Sequence, residues 1–228
     1  MPDAITIKGL KKTYNGVEAL KGINFSIKEG EFFALLGPNG AGKTTTINIL
    51  TGLTNKTSGE VLLFGKDVVK DYKEARALIG LVPQEFNFDR FETVYNILSY
   101  NAGYFGIPQK ERPAKIKKVL EQLNLWDKKD AQAQELSGGM KRKLMIARAL
   151  IHEPRIIILD EPTAGVDVET RKAMWRYFKK LNKEGVTILL TTHYIEEAEE
   201  LCERVAIINK GQIVALDYKK KSFKPVAK

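Results

Sequence analysis

Gly37-Pro38-Asn39-Gly40-Ala41-Gly42-Lys43-Thr44 matches the full G-x-x-x-x-G-K-[ST] pattern, with apolar residues 32–36 before it and Thr45 to Leu50 after it. Glycines at both ends of a loop between a buried strand and a helix let the backbone turn back on itself, so that successive N–H groups converge on an anion. The helix N-terminus adds unpaired donors and the positive end of its dipole. The loop therefore implies a bound nucleoside triphosphate, with Lys43 on the β and γ phosphates and Thr44 on Mg²⁺.

Outward from the loop, 228 residues at 43% hydrophobic and 29% charged supply one large α/β core with room for a smaller lobe, which excludes the disordered and fibrous classes. The longest apolar run is about five residues, against the ~20 needed to span a bilayer, and Met1-Pro2-Asp3 starts no signal peptide. The chain is therefore expected on the cytoplasmic side. A single cysteine, Cys202, excludes an internal disulfide and a cysteine zinc site, and reads as a buried thiol in a helical pattern. The net charge of +9, from 37 Lys and Arg against 28 Asp and Glu, is scattered mainly in pairs typical of solvated helix faces. Only Lys141-Arg142-Lys143 and Lys219-Lys220-Lys221 form triplets, the second in a basic tail over 217–228 that reads as frayed.

Ile5 and Ile7, then residues 22–27, alternate with polar neighbours and predict short antiparallel edge strands. Between them Lys12-Thr13-Tyr14-Asn15-Gly16 predicts a turn presenting Tyr14, either a half-buried surface ring or a platform for an adenine base. Strands are predicted at 61–64 and 79–82, the latter followed by Pro83 and Gln84. Gln84 is a solvated loop residue or an amide that reaches the metal site or the attacking water. From 91 to 125 apolar residues recur at helical spacing, predicting an inserted helical lobe against which Trp126 packs.

Leu136-Ser137-Gly138-Gly139-Met140 opens a basic helix. Ser137 is an N-cap, and Gly138 and Gly139 expose N–H groups, so the stretch is either a plain capped helix or a second anion-binding end. Ile156 to Leu159 is a fully buried strand ending in Asp160 and Glu161. At the carboxyl edge of a parallel sheet Asp160 would hold Mg²⁺, and Glu161 would take a proton from water. Residues 169–184 form an amphipathic helix burying Met174, Trp175, Phe178 and Leu181; a buried strand at 186–190 then delivers Thr191, Thr192 and His193 to the same edge. His193 is an ordinary surface or core histidine, or a γ-phosphate sensor. A hairpin around Lys210-Gly211 closes the pattern.

In this order Tyr14, the phosphate loop, Gln84, residues 136–140 and 156–161, Ala164-Gly165-Val166-Asp167 and His193 resemble the nucleotide-binding subunit of ATP-binding cassette (ABC) transporters, over roughly residues 5–215. The resemblance implies an α/β fold. It has a phosphate-loop NTPase core with a mostly parallel sheet, an N-terminal antiparallel β subdomain, and an inserted α-helical subdomain carrying the signature. Residues 1–87 and 153–216 would form the core with its antiparallel subdomain, and 88–152 the helical one. The family implies ATP and Mg²⁺, with catalytic Glu161, His193, Lys43 and Gln84, and metal ligands Thr44, Gln84 and Asp160. Nucleotide would contact Tyr14, Gly37, Pro38, Asn39, Gly40, Ala41, Gly42, Lys43, Thr44 and Thr45, with Ser137, Gly138, Gly139 and Asp167 reaching it across a head-to-tail dimer. Partners would be a second copy and integral-membrane permease subunits, on the cytoplasmic face of the inner membrane, with no nucleic acid.

Met140-Lys141 replaces the usual Gln pair, and Ala164 to Asp167 replaces Ser-Ala-Leu-Asp. With Pro83-Gln84-Glu85-Phe86 and Arg171-Lys172-Ala173-Met174-Trp175, these variants look like bacterial ABC-2 type exporters. Two other readings compete: an ABC ATPase acting on nucleic acid or ribosomes, and a regulatory module that binds ATP without turnover. Missing heptads and a single cassette count against the first, and Glu161 with His193 against the second.

Overall fold

The computed structural model describes residues 2–218. Strands β1 (Asp3–Tyr14), β2 (Val17–Lys28) and β3 (Phe32–Leu36) lead through the glycine-rich loop into helix α1 (Lys43–Leu50). Then come β4 (Ser58–Leu63), β5 (Lys66–Asp67), α2 (Tyr72–Ala77) and β6 (Ile79–Val82). Helices α3 (Val94–Tyr104), α4 (Arg112–Gln122) and α5 (Gly138–Leu150) follow without an intervening strand. The chain ends with β7 (Ile156–Asp160), α6 (Val168–Lys183), β8 (Thr187–Thr192), α7 (Ile195–Leu201), β9 (Arg204–Asn209) and β10 (Gln212–Tyr218).

Two sheets result, one in the order β2-β1-β4-β5 and antiparallel, the other β10-β9-β3-β8-β7-β6 and parallel except for the final hairpin. Every residue of β3, β7 and β8 is buried, as a strand covered on both faces requires. Their side chains alternate between two cores. Phe32, Ala34, Leu36, Ile157 and Leu159 face α3 to α7, while Phe33, Leu35, Ile156 and Ile158 face α1 and the antiparallel sheet. On α6, Met174, Trp175, Phe178 and Leu181 are buried, the face expected from their spacing.

The edge strands are longer than the alternation suggests. β1 continues through Tyr14, so the turn shrinks to Asn15 and Gly16, both at positive φ (46° and 84°) as a tight hairpin turn demands. Register shifts between Ile7 and Leu10, around Gly9 at φ 56°, interrupt the period-two pattern and hide the strand's length. The expected tail also begins later, because Asp217 and Tyr218 pair with Val205 and Arg204 of β9. The Lys219-Lys220-Lys221 triplet lies outside the described residues.

Phe178 is fully buried in the core that joins α6 to the parallel sheet. Its replacement in Phe178→Ala is expected to cost about 3–5 kcal/mol of stability, read as a lower urea midpoint. A midpoint within error of the wild type would contradict this packing.

Candidate functional site

Because β3, β6, β7 and β8 run parallel, their carboxyl ends share one edge of the sheet. That edge gathers the loop after β3, Gln84 after β6, Asp160 and Glu161 at the end of β7, and His193 after β8. The loop is shaped by its close neighbours. A Cβ on Gly37 would lie 2.3 Å from the Ile208 carbonyl oxygen, and one on Gly42 (φ 115°) would lie 2.8 Å from Leu20 Cδ2. Only glycine fits either position. The Gly211 N–H donates to the Ala41 carbonyl (2.9 Å), so the β9–β10 turn braces the loop from outside.

Glu161 is the hub. Its Oε1 lies 3.4 Å from Lys43 Nζ, and its Oε2 lies 3.2 Å from His193 Nδ1 and accepts from Gln84 Nε2 at 3.3 Å. Lys43 Nζ also donates to the carbonyls of Gly37 (2.7 Å) and Pro38 (3.2 Å). Both Lys43 and Glu161 are buried, and Glu161 holds a left-handed backbone (φ 46°), a strained conformation for a residue with a side chain. Its N–H donates to the Thr191 carbonyl at 3.0 Å, which fixes the turn. Asp160 Oδ1 accepts from Thr191 Oγ1 at 2.6 Å. Burial pushes the Asp160 carboxyl up from its ordinary value; the Thr191 hydroxyl and Lys43 pull it down, and the Glu161 charge adds to the rise.

Thr44 is exposed at the start of α1, Thr45 half-buried, and Pro38, Asn39 and Gly40 line the open rim of the loop above buried Ala41. Tyr14 stands apart from the hub at the end of β1, partly exposed, with Lys12 Nζ 4.5 Å from its ring centre.

A second group forms where α5 and α6 begin. Ser137 Oγ caps α5 by accepting from the Met140 N–H (3.3 Å), leaving Ser137 and Gly138 exposed. A Cβ on Gly139 would touch Thr170 Cγ2 at 3.4 Å, so the two helix starts adjoin. Asp167 caps α6, its Oδ1 accepting from the Thr170 N–H (2.8 Å) and its Oδ2 from the Thr170 hydroxyl (2.6 Å). Those bonds hold its carboxyl below the usual range. Among the described residues no hydrogen bond or ion pair joins this group to Glu161.

Two supports escaped the sequence reading. Buried Glu197 Oε1 accepts from Thr163 Oγ1 (2.9 Å) and from Trp175 Nε1 (3.0 Å), tying the turn after Glu161 to α6 and α7. The other is Arg142, one of a basic triplet, which is buried against the Pro83 carbonyl. Neither follows a local pattern, since each partner lies far away in sequence.

The donor set fits Mg²⁺. Thr44, Gln84 and Asp160 offer oxygens only, and two adjacent buried carboxylates face a single buried lysine. Among the described residues no cluster of three or more His, Cys, Asp or Glu could hold a metal alone.

The chain is similar to known proteins over most of its length. The sequence model of the ABC transporter family matches residues 20–164. Nod factor export ATP-binding protein I of Burkholderia lata is 43% identical over 216 residues, covering 94% of this chain and 71% of that protein. The protein of the same name from Burkholderia pseudomallei is 44% identical over 211 residues, 92% and 69% of the two chains. Among solved structures, cbiO1 of Clostridium perfringens, part of the ABC transporter complex cbiONQ, superposes with a TM-score of 0.88 at 32% identity over 98% of this chain and 91% of that one. The dimeric ATP-binding cassette MJ0796 in a post-hydrolysis state with ADP and Pi gives 0.86 at 30% identity, covering 94% and 98%.

Because the folded protein raises the Asp160 pKa, ionising that carboxyl costs stability as the pH climbs through the raised value, whereas below the ordinary value of 3.8 no cost is incurred. Asp160→Asn should therefore melt close to the wild type in acid and above it at neutral pH. A melting difference that does not grow with pH would contradict the burial cost.

Proposed function

The chain belongs to the ABC transporter ATP-binding family and is an ATPase; from that premise we propose that it powers a bacterial ABC-2 type exporter and hydrolyses ATP at the Glu161 hub. The carrying observation is that hub: one carboxylate held between Lys43, Gln84 and His193 at the mouth of the glycine-rich loop. The relatives' names, export ATP-binding proteins, support the direction of transport.

Lys43 is satisfied by two loop carbonyls and by Glu161, so phosphate oxygens arriving in the loop replace like with like. Once Lys43 turns to the β and γ phosphates, Glu161 Oε1 is released to accept a proton from water. Gln84 and His193 keep the other oxygen in place. His193 then lies beside the γ-phosphate. Thr44, Gln84 and Asp160 are assigned to Mg²⁺, which when bound neutralises phosphate charge. Tyr14, exposed at a strand end, is assigned to the adenine. A base of this kind is worth roughly 10² to 10⁴ in rate.

Ser137 and Gly138 are exposed and Gly139 partly so at the start of α5. In the proposed head-to-tail dimer they cap the triphosphate held by a second copy, with Asp167 at the same seam. Attachment to the membrane is assigned to permease subunits on its cytoplasmic face; among the described residues no helix is long and apolar enough to cross a membrane. We assign the permease contact to the open cleft of about 340 Å³ lined by Leu53, Tyr104, Phe105 and His152. A nucleic-acid role is not favoured, because the relatives are export ATP-binding proteins and the structural neighbours are transporter cassettes.

Wild-type protein with MgATP should release phosphate, and Glu161→Gln should lose roughly 10²-fold or more of that rate while binding ATP. Saturated with MgATP, the Glu161→Gln variant should run as a dimer in light scattering. Adding Ser137→Arg to it should return the monomer without loss of nucleotide. Wild-type turnover in Glu161→Gln would remove the base, and a variant that stays monomeric even beside its membrane subunits would remove the dimer.

A further inference from the structure

Of the three adjacent cations at 141–143, the middle one turns inward. Arg142 is 4% exposed, whereas Lys141 and Lys143 remain partly accessible. Its Nη1 donates to the Pro83 carbonyl at 2.9 Å, and its guanidinium carbon lies 5.0 Å from the centre of the Phe86 ring. Its Nε is buried with no hydrogen-bond partner among the described residues, and no carboxylate among them offsets its charge. Burial alone lowers its pKa, although an arginine keeps its proton regardless. A buried cation without a counter-charge is costly and has no packing advantage over an apolar side chain of similar size.

What this cation grips is one end of a rigid unit. The Pro83 carbonyl and the Gln84 N–H belong to the same planar peptide, and the proline ring fixes the torsion before it. Fixing that carbonyl therefore fixes the N and Cα atoms of Gln84, from which the side chain that donates to Glu161 springs. Farther along α5, Arg148 donates through Nη1 to the Asn87 carbonyl at 3.0 Å and through Nη2 to the Asn87 side chain, a second fastening of the same loop.

We propose that Arg142 is a positioning residue for hydrolysis: through the Pro83–Gln84 peptide it holds the Gln84 amide on the Glu161 carboxylate, and so couples that carboxylate to the placement of α5. The inference rests on the hydrolytic role assigned to Glu161, and it adds a route from the helix that begins at Ser137 to the base of the same subunit.

The test uses full-length Arg142→Met, Arg142→Gln and Gln84→Ala, singly and combined. Arg142→Met should lower kcat by roughly 10-fold to 10²-fold, as a displaced catalytic group does, with KM for ATP changed less than about twofold because the loop on β3 is untouched. Arg142→Gln, which keeps a donor for the carbonyl without the charge, should recover most of the rate. In the Gln84→Ala background Arg142→Met should cost little more, because the residue it acts through is gone. Amide hydrogen exchange supplies a readout independent of turnover: residues 84–88 should exchange faster in Arg142→Met, with residues 43–50 unchanged. Additive losses in the double variant, an unaltered kcat, or unaltered exchange over 84–88 would overturn the proposal. A wild type that hydrolyses no ATP would remove the function assigned to the hub, and the exchange comparison would still decide for or against Arg142.

Discussion

The contact between Lys43 and Glu161 is the constraint around which the molecule is arranged. Both groups are nearly excluded from water, at 5% and 7% exposure, with Asp160 beside them. Burying such charges costs several kcal/mol per ion and is sustained only when the remaining hydrogen-bonding positions are filled. Here they are: the Gly37 and Pro38 carbonyls take the ammonium, Gln84 and His193 take one carboxylate oxygen, and the ammonium takes the other. The loop after β3 and the end of β7 are separated by β8 in the sheet, so this one contact locks the two together across an intervening strand.

Holding that pair demands a frame that does not yield. The sheet beneath it is buried on both faces, and its alternating side chains anchor it to two separate cores. Strain is placed where function needs it, since Glu161 sits at positive φ and is held there by the Thr191 carbonyl and by the Glu197 brace on the turn that follows. A left-handed glutamate costs of order 1–3 kcal/mol. Replacement by a glycine would remove that cost together with the carboxylate, so the strained residue survives through its side chain.

Much of this was legible in the chain because it is local. The glycine-rich loop, the aliphatic run before Asp160 and the buried stripe of α6 each declare themselves within a few residues, since strand and helix periods are short. The strand lengths at the N-terminus were not legible, because the bulge around Gly9 shifts the register and breaks the alternation. Tyr14, expected in a turn, is the last residue of a strand for the same reason. The burial of Arg142 was not legible for a different reason. In a run of three cations on a helix, adjacent residues point about 100° apart. Only the phase of α5 relative to the loop after β6 decides which of the three turns inward, and that phase is a property of the packed fold.

The same logic explains why the two groups of site residues remain separate within one subunit. Asp167 spends both oxygens on Thr170 at the start of α6, so its charge is held by its own helix and does not neutralise the α5 donors alongside. In the proposed dimer the start of α5 offers its N–H donors to the triphosphate, and the loop on β3 grips it from a different side. A two-fold pairing of identical chains answers both at once, because every contact it makes from one copy to the other is made again in reverse. In the proposed dimer two sites would form together or not at all, and Arg142 would link the helix that faces the partner's nucleotide to the loop that serves its own subunit.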